Sequence, residues 1–330
     1  MKHLAGIVDA FSQKRIVVIG DAIADQFVHG QISRVSREAP VFILSHEHTE
    51  TTPGGAGNCA ANLAALGAKV ALVSVVGDDE PGKILLDKLN AAGIDCTGVV
   101  ATPGRRTTTK VRVLAGQTHS TRQQVIRIDY DGQPAVREDE RHQMSSRVQD
   151  QITLADALVV SDYNYGVADE MLVAPALMVG KQRGIPSLVD SRFRLSEFAG
   201  FTSATPNEDE IAQQYGDLSE SELKTTGAAL RDRLQFGALL VTRGSDGMML
   251  FEEGKEPLRI DAVGSRQPVD VTGAGDTVIA TYSLALACGA SFADAARLAN
   301  LAGGIVVMKR GTATVSAAEL LAAIAQFTHE

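Results

Sequence analysis

Residues Val269–Asp276 read VDVTGAGD, and an alanine-rich apolar stretch with helical character follows them directly. Gly273 and Gly275 allow a tight turn and a close approach of the backbone to a ligand. Because the first amides of a helix have no acceptor within it, and because the helix dipole adds positive charge, this turn predicts an anion site. Asp276 falls in the first helical turn, where a carboxylate would repel the anion. We interpret Asp276 as a base that accepts a proton from a substrate hydroxyl; a glycine turn capped by an acid is the alternative.

The composition is that of a globular protein with a sizeable core. The chain has 330 residues, 45% of them hydrophobic, which suits one large α/β domain or two smaller ones. The net charge of −9 argues against a general nucleic-acid binder. Aromatic residues make up only 5%, so aromatic stacking platforms are not expected. We expect no nucleic-acid partner.

The three cysteines show neither zinc-site spacing nor a disulfide framework. Cys59 and Cys288 lie in predicted helices and should be buried, whereas Cys96 lies in a predicted polar connection. The N-terminus has no signal-peptide pattern, and no apolar run is long enough to cross a bilayer. We expect a reduced cytoplasmic protein without a membrane partner.

Apolar β-branched runs alternate with helical patterns along most of the chain. Buried strands are predicted at 15–20, 70–76, 157–161, 187–189, 203–205 and 238–241. Helices are predicted at 55–66, 81–92 and through most of 274–327. Strands separated by helices indicate right-handed crossovers, so the pattern predicts an α/β fold with a mostly parallel sheet.

Two segments interrupt this alternation and predict a small separate sheet. Residues 26–44 and 107–130 have little helical period, and the second segment has the pattern of a hairpin. Its apolar face would need the main domain or a second subunit to cover it. Because no linker or repeat divides the chain, we predict one domain over residues 1–330 with this sheet as an appendage.

The end of the first strand carries a candidate ligand site. Gly20 and Asp21 follow the predicted strand, and Asp25 is predicted to lie one helical turn further on. Ligands of doubly wound sheets bind at the carboxyl ends of strands, where a carboxylate can accept hydrogen bonds from sugar hydroxyls. An N-cap for the following segment is an equally good interpretation.

A second glycine-rich turn opens a helix at Pro53–Asn58, which reads PGGAGN. Gly54 and Gly55 would let a ligand touch the backbone, and Asn58 offers both a donor and an acceptor, which suits a polyol. Close helix–strand packing is the alternative. The spacing is not the dinucleotide fingerprint, and no strand is predicted directly before the turn, so a nicotinamide site is disfavoured.

Two further strand ends carry polar groups. Thr205–Glu210 reads TPNEDE, where Asn207 and Glu210 would face the same way and could organise Mg²⁺, often through water. An N-cap with an acidic first turn is the alternative. Val241–Gly247 reads VTRGSDG and could hold the triphosphate of a nucleotide, with a simple β-turn as the alternative.

Arginines concentrate in and beside the two interrupting segments, although the chain is acidic overall. They are Arg34, Arg37, Arg105, Arg106, Arg112, Arg122 and Arg127. Such a density near a polyol site suggests a substrate that already carries a phosphate or a carboxylate. Most of these arginines are explained by a position on a solvent-exposed face without any ligand. We expect one to three of them to contact the ligand.

The ordered set Gly-Asp, Pro-Gly-Gly-Ala-x-Asn, Pro-Asn-x-x-Glu, Thr-Arg-Gly and Asp-x-Thr-Gly-Ala-Gly-Asp resembles the ribokinase-like (PfkB) carbohydrate kinases over nearly the whole chain. Within them the chain is most similar to the heptose 7-phosphate kinases of ADP-heptose synthesis for lipopolysaccharide. The segments behind this narrower resemblance are 33–41, 109–113, 126–129, 161–163 and 270–278. The resemblance implies a three-layer α/β/α fold whose mostly parallel sheet carries a small β-sheet lid, formed from about 26–44 and 107–130.

The resemblance also implies an activity: transfer of the γ-phosphoryl group of ATP to O1 of D-glycero-β-D-manno-heptose 7-phosphate, giving the 1,7-bisphosphate. Asp276 would be the base, and the catalytic anion hole would consist of the amides of Gly273, Ala274, Gly275 and Asp276. The implied sugar-binding residues are Asp21, Gly54, Gly55 and Asn58, with Arg37, Arg106 and Arg122 as our candidates for the substrate phosphate. The implied nucleotide-site residues are Asn207, Thr242, Arg243, Gly244, Gly247, Asn300 and Arg192.

The implied cofactors are ATP and Mg²⁺, with Asn207 and Glu210 organising the metal. Many members use K⁺ near the anion hole, and Asp270 and Thr272 match the loop involved. The lid commonly makes a homodimer in the family, so we expect one here.

Two positions depart from the heptose kinase pattern. Tyr165 stands where similar kinases have a lysine, and Asp190-Ser191-Arg192 replaces Asp-Pro-Lys. Arg192 could take over from the second lysine, although arginine and lysine differ in reach and geometry.

Two other functions remain open at this point. The chain could be a PfkB-type kinase for a different sugar phosphate or a nucleoside, or a non-catalytic sugar-phosphate sensor. Many heptose kinases are fused to a nucleotidyltransferase. Because the sequence has no His-x-Gly-His motif, we expect the adenylyl transfer to belong to another protein.

Overall fold

The computed structural model describes residues 2–116, 123–131, 135–264 and 267–326. The strands in these ranges are β1 (Arg15–Gly20), β2 (Ala22–Val35), β3 (Phe42–Gly55), β4 (Lys69–Gly77), β5 (Asp95–Thr102), β6 (Thr109–Gly116), β7 (Gln123–Tyr130), β8 (Ala157–Asp162), β9 (Ser187–Ser191), β10 (Ser203–Ala204), β11 (Ala238–Thr242), β12 (Met248–Glu252) and β13 (Leu258–Ile260). The α-helices are α1 (Lys2–Asp9), α2 (Ala56–Ala65), α3 (Glu80–Ala91), α4 (Glu138–Ile152), α5 (Glu170–Arg183), α6 (Glu208–Tyr215), α7 (Glu220–Arg233), α8 (Ala274–Ala287), α9 (Phe292–Val306) and α10 (Ala317–Gln326).

Nine strands form the main sheet, in the order β13-β12-β11-β10-β9-β8-β1-β4-β5. The pairs from β11 to β5 are parallel, and β12 and β13 add an antiparallel edge. Because parallel strands end at one edge of a sheet, the loops after β1, β8, β9 and β11 lie side by side. The predicted α/β fold with a mostly parallel sheet is confirmed.

Helices cover both faces of this sheet. One buried cluster joins it to α1, α2, α3, α8, α9 and α10, and a second joins it to α4, α5, α6 and α7. The ends of the helices follow local chemistry: the Asp169 carboxylate caps α5 by accepting from the Leu172 amide, and Gly184 ends it at a positive φ of 66°. The helices of the described ranges include none that is long and apolar enough to cross a membrane.

A second sheet of four strands, which we call the lid, has the order β3-β2-β6-β7. The hairpin β2–β3 runs antiparallel, β6 joins it parallel to β2, and β7 returns antiparallel to β6. The separate sheet was predicted, but its first segment is longer than 26–44, since β2 starts at Ala22 and β3 continues to Gly55. Part of the second segment, 117–122, lies outside the described residues.

Four local predictions are wrong. Asp25 lies in the extended strand β2 and not one helical turn after Asp21. A strand, β3, does directly precede the helix at Pro53–Asn58. Cys96 lies in β5, which we did not predict, and is half-buried instead of standing in a polar connection. In addition, Cys288 follows the last turn of α8 and is only partly buried.

Candidate active site

The amino end of α8 begins at Gly273, whose φ of 77° is the left-handed conformation that favours glycine. A Cβ at this position would collide with the side-chain amide of Asn58. At Gly275, by contrast, a Cβ would meet no protein atom within 4 Å. The backbone at Gly275 is therefore open to a ligand, as an anion loop requires.

Asp276 lies in the first turn of α8 and is only 2% exposed. Both carboxylate oxygens are held: Asn58 Nδ2 donates to Oδ2 at 2.9 Å, and the Tyr163 hydroxyl donates to Oδ1 at 3.0 Å. Burial raises the pKa of Asp276 to about 7, with the charge of Asp190 adding to it and the two hydrogen bonds opposing it. The side chain thus has the pKa of a base that can be ionised near neutral pH.

Asn58 lies close to Asp276, but its polar atoms are occupied by protein groups. Besides Asp276, its amide lies 3.4 Å from the Gly273 carbonyl, and its Oδ1 accepts from Asn62 Nδ2 at 3.1 Å. The structure shows it orienting the carboxylate. Tyr163, which does the same from the loop after β8, carried no site role in our sequence analysis, because nothing local in its sequence points to Asp276.

Asp21 is buried, and its carboxylate holds a loop. Oδ2 accepts from the amides of Tyr163 and Tyr165 at 2.9 and 3.1 Å, and Oδ1 from that of Val167 at 3.1 Å. Burial is the largest influence on its pKa and raises it, while these amides lower it. Asp21 therefore shapes the loop that carries Tyr163, a geometry closer to a cap than to a free sugar ligand.

The two glycines of the second turn pack against aspartates. A Cβ at Gly54 would overlap the Asp25 carboxylate, and one at Gly55, where φ is 55°, would come within 2.5 Å of the Asp21 carbonyl oxygen. Asp25 itself lies in strand β2 of the lid, 2.5 Å from Arg112 on β6. Because Gly54 and Gly55 have no side chains, Asp25 and Asp21 can lie close to the start of α2.

A cavity of about 210 Å³ lies beside Ala274 and Gly275 at the start of α8. Its lining includes the predicted nucleotide-site residues Thr242, Gly244, Gly247 and Asn300, together with Ala274 and Gly275. Arg243 does not line this cavity. Its guanidinium lies 2.6 Å from Glu208 and 3.5 Å from Glu220, so it is used in ion pairs.

Asn207 and Glu210 form a capping box at the start of α6: the Glu210 amide donates to Asn207 Oδ1 at 2.8 Å, and Glu210 Oε2 accepts from the Asn207 amide at 2.9 Å. Burial raises the pKa of Glu210 to about 7. Asp190, at the end of β9, has its pKa raised by burial and by Glu210. Our sequence analysis did not select Asp190, although a carboxylate at a strand end was a usable signal.

Glu210 and Asp190 repel each other, and the charge of Arg192 offsets the raised pKa of Glu210 only in part, which is a chemistry that suits a hard divalent ion. No group of three or more His, Cys, Asp or Glu side chains in the described ranges converges as a dense metal centre. Mg²⁺, which keeps much of its water and binds through few protein oxygens, fits such a sparse donor set.

The lid covers a cleft of about 890 Å³ that reaches the loops 269–270 and 310–313. In that region Asp270 accepts from the amides of Thr272 and Gly311, both at 2.9 Å. Thr312 lies 3.3 Å from Asp25. The lid, residues 269–270 ahead of α8 and the 310–313 loop therefore meet around one space.

The predicted phosphate-binding arginines are scattered. Arg37 is exposed in the turn between β2 and β3, and Arg106 lies 5.5 Å from the Tyr130 ring, beside a small cleft that includes Asp21. Arg122 lies outside the described residues. Arg192 follows β9 and contacts Phe193 at 5.6 Å. Tyr165, at the first departure, donates a hydrogen bond to Asp131 at 3.0 Å.

Residues 13–319 match the profile of the pfkB family carbohydrate kinases. The chain belongs to this family. It is 41% identical over 318 residues to the bifunctional protein HldE of Desulfatibacillum aliphaticivorans, and 40% over 311 residues to HldE of Geobacter sulfurreducens. These alignments cover 96% and 93% of this chain but only 64% and 62% of the relatives, so the chain spans less than two thirds of their length.

Solved structures show the same fold at low identity. Arabidopsis thaliana ribokinase complexed with ribose and ATP superimposes with a TM-score of 0.71 at 21% identity, covering 94% of this chain and 98% of that one. Escherichia coli phosphofructokinase-2 with substrates and products gives 0.76 at 17%, covering 96% and 99%. These structures show the ribokinase-like fold, and the family match over residues 13–319 shows that the chain is a carbohydrate kinase.

Proposed function

We propose that this kinase transfers the γ-phosphoryl group of ATP to O1 of D-glycero-β-D-manno-heptose 7-phosphate, giving the 1,7-bisphosphate for ADP-heptose and lipopolysaccharide synthesis in the cytoplasm. The observation that carries the proposal is the position of Asp276, buried in the first turn of α8 directly after Ala274 and Gly275, which line a cavity of about 210 Å³. The similarity to HldE proteins and the cationic lid support the choice of sugar.

Asp276 would take the proton from the O1 hydroxyl. A carboxylate with a pKa of about 7 is a stronger base than an exposed one and is still largely ionised slightly above neutral pH. Phosphoryl transfer passes through a loose transition state, so deprotonation can come late and positioning supplies most of the effect. Asn58 and Tyr163 fix the carboxylate for that step.

The amides at the start of α8 would hold the transferring group, because the first amides of a helix have no acceptor within it. The Ala274 amide already donates to the Val271 carbonyl at 3.2 Å, so the donors proposed are those of Gly273, Gly275 and Asp276. The ATP that supplies it would occupy the cavity lined by Thr242, Gly244 and Asn300. Mg²⁺, held through Glu210 and Asp190 and by water, would neutralise phosphate charge. A potassium ion near Asp270 and Thr272 is part of the proposal.

The test measures ATP consumption with Mg²⁺ on heptose 7-phosphate, fructose 6-phosphate, ribose and adenosine, for the wild type and Asp276→Asn. We expect turnover with the heptose phosphate alone, and a loss of about 10²-fold or more in the variant because the base is removed. ATP binding should stay nearly unchanged.

The control is thermal melting at pH 8. Because burial raises the folded-state pKa of Asp276 to about 7, well above that of a solvated aspartate, its contribution to stability is greatest at low pH and is lost as pH rises through 7. Asp276→Asn should then melt no lower than the wild type at pH 8. Turnover with another sugar would discard the heptose assignment, and wild-type turnover in the variant would discard the base.

A further inference from the structure

Among the described residues, the lid face that carries Arg112 and Arg127 also carries a lysine, Lys110, that their ion pairs do not use. In the strand register, Lys110 stands between Asp25 on one side and Asp129 on the other. Arg112, however, pairs with Asp25 at 2.5 Å, and Arg127 pairs with Asp129 at 2.9 Å. Both carboxylates therefore already pair with arginines. Lys110, between them, makes no ion pair with any described residue.

Lys110 is 8% exposed, yet it makes no hydrogen bond or ion pair with any residue in the described ranges. Its ammonium lies 5.7 Å from the centre of the Tyr163 ring. Burial lowers the pKa of Lys110 and the positive charge of Arg192 lowers it further, while the charges of Asp129 and Asp25 oppose them. A buried cation that makes no direct ion pair costs free energy, and a bound anion would offset that cost.

Arg192 brings a second such cation from the main domain. We expected it in the nucleotide site, but it does not line the cavity beside Gly275. Its side chain forms no hydrogen bond or ion pair with any residue that the structure describes, and it stacks on Phe193. Its amide donates to the carbonyl of Asp162, the residue before Tyr163, at 3.1 Å, and it lines a cleft together with Glu210. Two cations from separate layers thus lie close to Tyr163, which holds Asp276.

We propose that Lys110 and Arg192 together bind the phosphate group that the sugar acceptor carries when it enters the site. This inference rests on the proposed function, since it assigns a subsite to its phosphorylated substrate. A phosphate dianion neutralises an ammonium and a guanidinium at once, and arginine adds paired hydrogen bonds. The amides at the start of α8 already serve the donor phosphate, whereas Lys110 belongs to the lid on the acceptor side.

This phosphate subsite also explains how a bound substrate would hold the lid against the main domain. Lys110 lies on β6 of the lid and Arg192 on the loop after β9 of the main sheet. A phosphate bound by both would link the two sheets directly across the cleft. An acceptor without a phosphate would leave the two cations repelling each other.

The test compares Lys110→Met, Arg192→Met and the conservative Lys110→Arg with Lys255→Met, an exposed lysine that pairs with Glu252 at 2.8 Å. Calorimetry measures the binding of heptose 7-phosphate and of ATP separately, and steady-state assays give both KM values. We expect the two site variants to weaken sugar-phosphate binding by at least about 30-fold. ATP binding should be unchanged, Lys110→Arg should keep most of the affinity, and Lys255→Met should behave as wild type.

A second measurement, the melting temperature without ligand, distinguishes phosphate binding by Lys110 from a purely structural role. Without ligand, Lys110→Met should melt higher than the wild type, because it removes a buried charge that has no partner. A lower melting temperature, or unchanged sugar-phosphate affinity, would overturn the proposal, as would a loss confined to ATP affinity. If the wild type ignores heptose 7-phosphate but Lys110→Met weakens binding of another sugar phosphate, the subsite stands and the proposed substrate falls.

Discussion

At the scale of single residues, the catalytic centre that we propose consists of a carboxylate whose two oxygens are held by partners far away in the sequence. Asn58 is 218 residues from Asp276, and Tyr163 is 113 residues from it. Each donates a neutral hydrogen bond, which favours the ionised carboxylate against the effect of burial. The basicity of Asp276 is therefore set by the balance between desolvation and two side chains that need not touch the sugar.

Replacing Tyr163 by phenylalanine should shift the pH dependence of the reaction. Burial raises the pKa of the Tyr163 hydroxyl well above its usual value, so this group stays protonated and acts as a donor. Without that donor the pKa of Asp276 should rise above 7 by about one unit. The acidic limb of kcat/KM for the sugar should move to higher pH by that amount, with activity falling where Asp276 is protonated.

The pH profile separates this role from a structural one. At a pH well above the shifted midpoint, the variant should recover most of the wild-type kcat/KM, because the base is then ionised again. A uniform loss at every pH, with the midpoint unmoved, would show that Tyr163 acts in some other way. Tyr215, an exposed tyrosine at the end of α6, provides the matched Tyr215→Phe control.

At the scale of elements, the start of α8 contains two glycines with different roles. Gly273 is required by its left-handed backbone and by the adjacent amide of Asn58, whereas Gly275 faces open space on the nucleotide side. One glycine therefore serves the fold and the other leaves room for a ligand, although both stand in the same short motif.

Alanine at these two positions should give different defects. Gly275→Ala should melt as the wild type does but lose at least about tenfold in kcat/KM for ATP, because the methyl group enters the phosphate space. Gly273→Ala should lose about 1–3 kcal/mol of stability from backbone strain and from the displaced Asn58. Thermal melts and ATP kinetics on both variants check this. Equal melting temperatures with equal kinetics would contradict the division.

At the scale of the whole molecule, the lid leaves an apolar surface uncovered. Ile126, Ile128 and Tyr130 alternate along β7, at the edge of the lid sheet, and are 53%, 40% and 42% exposed. Exposed apolar side chains on an unpaired edge strand favour association. We propose that the lids of two copies cover each other in a homodimer.

Light scattering after size exclusion tests the homodimer. The wild type should elute as a dimer, and the double variant Ile126→Lys with Ile128→Lys should be monomeric, because charges on the covered face oppose burial. Lys replacing the exposed Leu154, at the end of α4 and away from the lid, is the control and should remain dimeric. A monomeric wild type at micromolar concentration would refute the lid interface.

Much of the fold and part of the site could be predicted because they depend on local pattern. The short parallel strands and the glycine motif at 269–276 each carry their signal within a few residues. The strands β5 and β13 were missed, and the extent of β2 and β3 was underestimated, since half-exposed strands have mixed composition that only their sheet partners decide. The strand β12 was also missed, although it is almost wholly buried.

The sequence by itself determined the alternating α/β architecture, the turn that opens α8 and the position of Asp276 in it, because short-range backbone preferences and hydrophobic period act along the chain. Only the tertiary structure decided which polar groups already have hydrogen-bond or ion-pair partners within the protein. Arg243 and Asp21 turn inward to protein partners, while Lys110 is left without one. Pairing between distant side chains depends on how sheets and loops pack, and no local pattern contains it.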